Sequence, residues 1–357
     1  MRVGIVGAGF MGRVHAHAVR VGGGRVVGVA SSAPERSSAA AAELGAERAF
    51  ADASELVDSD DIDVVHVCTP NHLHESQASA ALKAGKHVVC EKPLATTAAD
   101  AADLTRLAAD QARVATVPFV YRFHPMVREA RERVRVGDVG RVTLVHGGYL
   151  QDWLAKPADD NWRVDPDLGG PSRAFADIGS HWCDLLEFVT GDRIVRLSAQ
   201  SSTVHGERAG RAPVATEDLV TLQFVTAAGV PGTSVISQVS PGRKNQLRLE
   251  ITGSEATLAF DQEQPELLWE GRRDHSRALV RDPDTLSAAA ARYARVPAGH
   301  AQGYQDCFNA FVADTVTAIA GREPDGLPTF ADGLRAAHLA EAVLASAAGG
   351  GWVEVGS

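Results

Sequence analysis

Arg2-Val3-Gly4-Ile5-Val6-Gly7-Ala8-Gly9-Phe10-Met11-Gly12 carries the reading of the fold. Val3, Ile5 and Val6 make the first five residues a short apolar run, the composition of a buried strand. The glycines follow without a gap and lead into a helical pattern. In that setting Gly7 permits a tight turn, Gly9 lets the backbone approach a pyrophosphate, and Gly12 allows close packing of helix on strand. The helix N-terminus then offers free N–H groups to phosphate. Gly7, Gly9, Phe10, Met11 and Gly12 are therefore expected to cradle a dinucleotide.

Outward from that motif, Arg25–Ala30, Val64–Val67, His87–Val89 and Val114–Val117 read as further strands, with helix-length segments near 11–21, 34–44, 72–83 and 97–110. These strands are apolar throughout, which suits a parallel sheet covered on both faces. The alternation predicts a doubly wound α/β domain over residues 1–120. From residue 121 the grammar changes, and 121–357 read as a second domain. A charged helix over Met126–Val136 precedes a strand over Arg141–Tyr149, then a loop rich in Pro, Gly and Trp, and a helix near 177–190. Strands are predicted at 194–204, 217–226, 233–239, 246–252 and 256–260, and helices near 302–320 and 331–347. Leu247, Leu249 and Ile251 alternate with Gln246, Arg248 and Glu250, the pattern of an antiparallel sheet. The stretch 270–301 carries no clear period.

Length and composition bound the rest. The 357 residues fit two domains, and 45% hydrophobic with 22% charged residues exclude wholesale disorder. A net charge of −10, from 35 basic and 45 acidic residues, disfavours nucleic acid or an anionic membrane as the main partner. No stretch reaches the ~18 apolar residues of a membrane span. Met1–Val6 runs straight into the glycine motif, where an export signal needs a longer apolar stretch and a cleavage site. Cys68, Cys90, Cys183 and Cys307 lie far apart with no Cys-x-x-Cys. A cytoplasmic protein without disulfides or structural zinc is expected. Only Lys83, Lys86, Lys92, Lys156 and Lys244 are lysines, so a lysine inside a motif stands out.

The end of the second strand speaks to the cofactor. An NAD site usually places Asp or Glu there, to bond the adenine ribose. Here Ala30-Ser31-Ser32-Ala33-Pro34 has no acid before Glu35, and Arg36 follows in the first helical turn. Ser31, Ser32 and Arg36 suit a 2′-phosphate, which favours NADP(H) over NAD(H). Alternatively, the two serines cap the helix started by Pro34.

Two further segments carry chemistry. Glu91-Lys92-Pro93 stands at the carboxyl end of a strand, where open α/β sheets bind ligands. Pro93 fixes the turn that aims Lys92, and its bond is cis or trans. In Asp177-Ile178-Gly179-Ser180-His181-Trp182-Cys183-Asp184, the residues Asp177, His181 and Asp184 fall on one stripe of a helix. Ile178, Trp182, Leu185 and Val189 form an adjacent apolar stripe. The polar three should thus border a buried face, with Gly179 baring the backbone to a ligand.

Taken in order, Gly7-x-Gly9-x-x-Gly12, Cys68-Thr69-Pro70-Asn71-x-x-His74, Glu91-Lys92-Pro93, Asp177-x-x-x-His181-x-x-Asp184, Gly303-Tyr304 and Gly326-Leu327-Pro328 resemble the Gfo/Idh/MocA oxidoreductases over nearly the whole chain. The resemblance implies an N-terminal Rossmann domain, and a C-terminal α/β domain with a large open, mostly antiparallel sheet used for oligomerisation. It also implies NAD(P)-dependent redox chemistry on a sugar or cyclitol, with Lys92, Asp177 and His181 as the catalytic residues.

A base is needed to take the hydroxyl proton when an alcohol is oxidised. No zinc constellation serves, because His15-x-His17 and His72-x-His74 lack partners at a metal spacing. His181 is the expected base, Asp177 its orienting group, and Lys92 the stabiliser of the alkoxide. Thr69, Pro70, Asn71, His74, Glu91 and Lys92 are placed at the cofactor crevice, with His74 a packing or capping residue. Arg122 is read as touching nicotinamide or substrate, and Asp184 as a substrate contact. Trp153, Trp162 and Arg163 either face a polyhydroxylated ring or anchor their loop. His300 is a further pocket candidate. The predicted enzyme acts on a small sugar or polyol and forms a dimer or tetramer through its C-terminal sheet. Two other readings are a glycoside hydrolase that oxidises transiently with bound NAD, and a non-catalytic dinucleotide sensor.

Overall fold

The computed structural model describes residues 1–356. The chain divides into two compact units, one of Met1–Val120 with Tyr304–Ala337, the other of Tyr121–Gly303 with the residues from His338 on. The sequence reading drew a single boundary, after residue 120. That reading gave 121–357 to a single domain, whereas Tyr304–Ala337 return to the first unit.

In the first unit, β1 (Arg2–Val6), α1 (Phe10–Val21), β2 (Arg25–Ala30), α2 (Pro34–Leu44), β3 (Arg48–Ala49), α3 (Ala53–Val57), β4 (Val64–Val67), α4 (His74–Lys83), β5 (His87–Cys90), α5 (Ala98–Asp110) and β6 (Ala115–Thr116) alternate. The six strands lie in the order β3-β2-β1-β4-β5-β6 with parallel pairings, the Rossmann order. Val3, Ile5, Val64, Val65, Val67, Val88 and Val89 are fully buried, as a sheet with helices on both faces requires. The order reverses between β1 and β4, so the loops after those strands flank the crevice where such sheets bind ligands.

The second unit comprises α6 (Pro125–Arg135), β7 (Val142–Leu150), α7 (Pro166–Gly169), α8 (Ser180–Thr190), β8 (Ile194–Ser202), β9 (Leu219–Thr226), β10 (Pro231–Ser237), β11 (Gln246–Gly253), β12 (Thr257–Asp261), β13 (Leu267–Gly271), β14 (Ser276–Val280) and α9 (Ala288–Ala291). Helix α10 (Tyr304–Ile319) packs on α1 in the first unit, which is why that segment rejoins it. Helix α11 (Phe330–Gly349) begins in the first unit and ends in the second, before β15 (Val353–Glu354).

Nine strands form one sheet in the order β14-β13-β12-β11-β7-β10-β9-β8-β15, antiparallel except for the β7–β10 pair. One face buries Val145, Tyr149, Leu222, Phe224, Leu247, Leu249, Ile251 and Phe260, with α6 and α8 against it. The opposite face carries Leu144, Val235 and Trp269, each more than a third exposed. Strand β14 lies within the stretch 270–301 that lacked a readable period, and β13 ends at its start. Glu270 in β13 is buried and accepts from Arg133, Arg272 and Arg277, which ties α6 to the sheet. Among the described residues, no helix is long and apolar enough to cross a membrane.

Candidate active site

In the first unit, the glycine loop has the shape its sequence demands. Gly7 sits at φ +98°, and a Cβ there would stand 2.5 Å from the Cys68 carbonyl oxygen. A Cβ on Gly12 would stand 2.4 Å from the Gly7 carbonyl oxygen, whereas one on Gly9 would meet nothing within 4 Å. Gly9 is the N-cap of α1, with no side chain capping the helix, and Phe10 beside it is 62% exposed. An uncapped helix start with open space at its glycine fits a pyrophosphate.

At the end of β2, Arg36 Nη1 donates to Ser32 Oγ at 3.1 Å, and both side chains are exposed. The serines do not cap α2. Ala33 holds that position, and the Ser31 N–H is instead bonded to Ser37 Oγ at 2.8 Å. No carboxylate stands between Ala30 and Glu35.

The loops after β4 and β5 are joined by a histidine. His74, buried at the start of α4, has Nδ1 2.7 Å from the Pro93 carbonyl oxygen and Nε2 2.8 Å from that of Thr69. Each ring nitrogen thus faces a carbonyl oxygen, and the imidazole bridges the two loops. Asn71 is buried in the turn just before α4, and Thr69 Oγ1 donates to Gln77 at 2.7 Å. The Lys92–Pro93 bond is cis, and Lys92 is half-buried. Glu91, placed by sequence at the cofactor, turns its carboxylate inward, to His15 Nε2 at 3.0 Å and to the Lys92 N–H at 3.1 Å. Burial pushes the Cys68 and Cys90 thiols well up, so both stay protonated and unreactive.

In the second unit, Asp177, His181 and Asp184 do not share one α-helical stripe. Phe175–Gly179 is a turn of π-helix, and α8 begins only at Ser180. A Cβ on Gly179 would stand 2.4 Å from the Phe175 ring, so glycine at this position makes room for that ring. The apolar stripe is as expected: Ile178, Trp182, Leu185 and Val189 are all buried.

Asp177 accepts from Gln238 Nε2 at 2.8 Å and lies 3.4 Å from Arg163 Nε. The segment before it is held by Glu217, which is buried and accepts from Ser172 Oγ at 2.7 Å and from the N–H groups of Arg173 and Phe175 at 3.0 Å. Arg173 and Arg208 meet the fully buried Asp218, and Arg208 also donates to the Lys156 carbonyl at 3.0 Å. This cluster fixes the Trp-containing loop against β9.

His181 is buried, with the Tyr121 ring edge-on at 4.9 Å. From Tyr121 a chain of polar groups runs through Tyr149 (2.5 Å) to Asn245 (2.6 Å), Gln151 (2.7 Å) and the Trp153 indole N–H (2.7 Å). Trp153 also packs on Leu154, Val164 and Val214, an anchoring role for that ring, and the Arg163 guanidinium lies over the Trp162 ring at 4.3 Å. Arg122 and Asp184, read as ligand contacts, form a two-point ion pair with nearly buried side chains, Nε to Oδ2 at 2.8 Å. Each charge is matched before any ligand arrives. His300 is exposed, and its carbonyl accepts from Arg281.

The sequence reading did not single out Tyr121, Tyr149, Gln151, Gln238, Asn245 or the His15–Glu91 contact. Most of these sit at strand ends far apart in sequence, where no local spacing marks them. His15 alone had a signal, falling on the same buried face of α1 as Gly12 and Val19. Among the described residues, no group of three or more His, Cys, Asp or Glu side chains is placed to hold a metal ion.

Residues 1–119 match the oxidoreductase family with an NAD-binding Rossmann fold, and residues 127–259 match the GFO/IDH/MocA C-terminal domain. Levoglucosan dehydrogenase of Pseudarthrobacter phenanthrenivorans is 31% identical over 99% of this chain and 98% of its own. Inositol 2-dehydrogenase 1 of Saccharopolyspora erythraea is 32% identical over 73% of this chain and 74% of its own. Among solved structures, an oxidoreductase domain protein from Kribbella flavida is 36% identical with a TM-score of 0.92 and covers 99% of both chains. A levoglucosan dehydrogenase in complex with NADH and levoglucosan is 31% identical, with a TM-score of 0.93 over 100% of this chain and 99% of that one. With both units matched and relatives aligned end to end, the chain belongs to the Gfo/Idh/MocA oxidoreductases, enzymes with an NAD-binding Rossmann domain.

Proposed function

We propose that this oxidoreductase interconverts a secondary alcohol and ketone on a sugar, cyclitol or related polyol. The observation that carries the reading is a buried histidine, His181, in a segment whose Asp177 is braced by Gln238 and Arg163, within a chain whose other unit matches an NAD-binding Rossmann fold. Relatives named as levoglucosan and inositol dehydrogenases support the substrate class.

Oxidation takes a hydride from carbon and a proton from oxygen. A dinucleotide whose phosphates the glycine loop would hold would supply the hydride acceptor, its nicotinamide. His181 takes the proton, since an imidazole is neutral yet basic near pH 7. Asp177 stabilises the resulting cation, and Lys92 stabilises the charge that develops on the substrate oxygen. Reduction reverses the roles.

Ser32 and Arg36, with no carboxylate at the end of β2, support NADP(H) as the preferred cofactor. The NADH held by levoglucosan dehydrogenase supports NAD(H) as the second reading. The exposed Leu144, Val235 and Trp269 on the open sheet face support assembly into a dimer or tetramer. Light scattering at micromolar concentration tests this, and a monomer there refutes it.

The function is tested by following reduced nicotinamide absorbance across a panel of sugars and cyclitols. Lys92→Ala and His181→Ala should each lose at least ~100-fold in kcat while still binding NAD(P)H. Full turnover in both variants overturns the assignment. So does glycoside cleavage by the wild-type enzyme with no net change in the cofactor.

A further inference from the structure

Gly326-Leu327-Pro328 takes no part in the proposed chemistry, yet its Leu327 lines a cleft within the first unit. Gly326 sits at φ +69°, the Leu327 N–H donates to the Pro324 carbonyl at 3.3 Å, and the Pro328 carbonyl accepts from the Val117 N–H at 3.3 Å. That last bond and the Thr116–Thr329 bridge draw the segment along β6, the edge strand of the Rossmann sheet. Between this segment and the ends of α5 and α10 lies a cleft of about 580 Å³, the size of a small-molecule site. Its walls are apolar: Ala108, Val114, Ala115, Leu327 and Phe330.

Helices α5 and α10 end alike at this cleft. The Arg113 N–H donates to the Ala108 carbonyl at 3.1 Å and the Ala112 N–H to that of Ala109 at 3.0 Å. The Arg322 N–H donates to the Thr317 carbonyl at 3.2 Å and the Gly321 N–H to that of Ala318 at 2.9 Å. Both are Schellman closures through a left-handed residue, Ala112 at φ +50° and Gly321 at φ +81°. The residue after such a turn usually packs an apolar side chain back on the helix. Here it is an arginine both times. Arg113 and Arg322 are exposed, with no ion pair or side-chain hydrogen bond among the described residues. Glu323 is the carboxylate on the same rim. Two guanidiniums against one carboxylate leave a single positive charge beside a wall of carbon, in a chain whose net charge is −10. A monoanion with an apolar body complements both features.

This cleft is not the dinucleotide crevice. Open α/β sheets bind nucleotides at the carboxyl ends of their strands, and a crossover helix such as α5 ends where the next strand begins. Val114, just before β6, lines the cleft, and its N–H is bonded to His87, the first residue of β5, at 3.0 Å. The cleft therefore lies at the opposite end of the sheet from the glycine loop, three strands away from β1. We propose that it is a second binding site, for a small carboxylic acid with an apolar body. The carboxylate meets Arg113 and Arg322, and the hydrocarbon part covers Ala108, Ala115 and Leu327.

The experiment titrates octanoate into the full chain by isothermal calorimetry, with and without saturating NADH, and uses octanamide as the neutral isostere. Octanoate should bind with a Kd of about 1 mM or below, and octanamide at least about tenfold more weakly for want of a charge-assisted bond. Arg113→Ala combined with Arg322→Ala changes exposed side chains alone; it should weaken octanoate about tenfold and leave octanamide within about twofold. Ala109→Trp, at an exposed position of α5 that lines the cleft, fills it and should abolish binding of both probes. Absence of octanoate binding up to about 10 mM overturns the proposal, as does equal affinity for the two probes. Binding that NADH displaces, or that Ala109→Trp leaves intact, places the probe elsewhere and overturns it too. A lower mass of Ala109→Trp by light scattering would mark the cleft as a contact between copies of this chain, which also refutes a small-molecule site.

Discussion

Gly9→Ala should separate nucleotide binding from folding. Gly9 has φ −73° and ψ −163°, which alanine adopts without strain, and its added Cβ meets no heavy atom within 4 Å. The folded protein loses only the preference of an N-cap for glycine over alanine, about 0.5–1 kcal/mol, or about 1–3 °C in Tm. The methyl instead enters the space in front of the uncapped start of α1. If a pyrophosphate lies there, it must retreat at a cost of roughly 1–3 kcal/mol, about 5- to 150-fold in Kd. Gly12→Ala is the control with the opposite outcome. Its Cβ stands 2.4 Å from the Gly7 carbonyl oxygen, so folding itself should suffer by about 1–3 kcal/mol. Titration of NADH and NADPH by nicotinamide fluorescence, beside thermal melts, reads both quantities. NAD(P)H binding by Gly9→Ala within twofold of wild type would refute the placement of the phosphates.

Other outcomes are expected from the same structure. Arg36→Ala should lower kcat/KM for NADPH about tenfold relative to NADH, the worth of one charged hydrogen bond; an unchanged ratio removes Arg36 from the cofactor site. Arg122→Ala should cost about 3 kcal/mol or more by leaving Asp184 nearly buried without its main partner, and a double-mutant cycle with Asp184→Ala should be strongly non-additive. Additive losses in urea unfolding would show that the pair does not act as a unit. His124 is buried against Tyr121 and Phe260, and burial lowers its pKa to about 4. Between about pH 4 and 6.5 the unfolded ring binds a proton that the folded ring refuses, so this residue makes stability fall as pH drops through that window, by about 3 kcal/mol in all. Above it His124 contributes no pH dependence. His124→Phe should flatten the stability profile there, and an unchanged difference between pH 4 and 7 would contradict the burial argument.

How much was legible depended on the range of the interaction involved. Strands β1, β2 and β4 and helix α2 were read at their observed limits, because apolar runs and a Pro at the helix start are local signals. The two-residue β3 and the five-residue α3 were missed, being too short to show a period. Strand β14 reads Ser-Arg-Ala-Leu-Val and is mostly exposed at the sheet edge, so it carries no burial pattern. The Asp177–His181 spacing suggested an ordinary helix because i and i+4 fit one. The π turn sets the Phe175 ring against Gly179, a contact that spacing cannot register.

The glycine loop, the two grammars of strand and helix, and the Glu-Lys-Pro and Asp-His segments were determined by sequence alone. Each is a demand that neighbouring residues make on one another through backbone geometry or periodic burial. Tertiary structure decided which charges answer which: Arg122 to Asp184 across 62 positions, His15 to Glu91 across 76, and Tyr149 to Asn245 across 96. A buried polar group must find a partner wherever the fold supplies one, and separation along the chain does not constrain that choice.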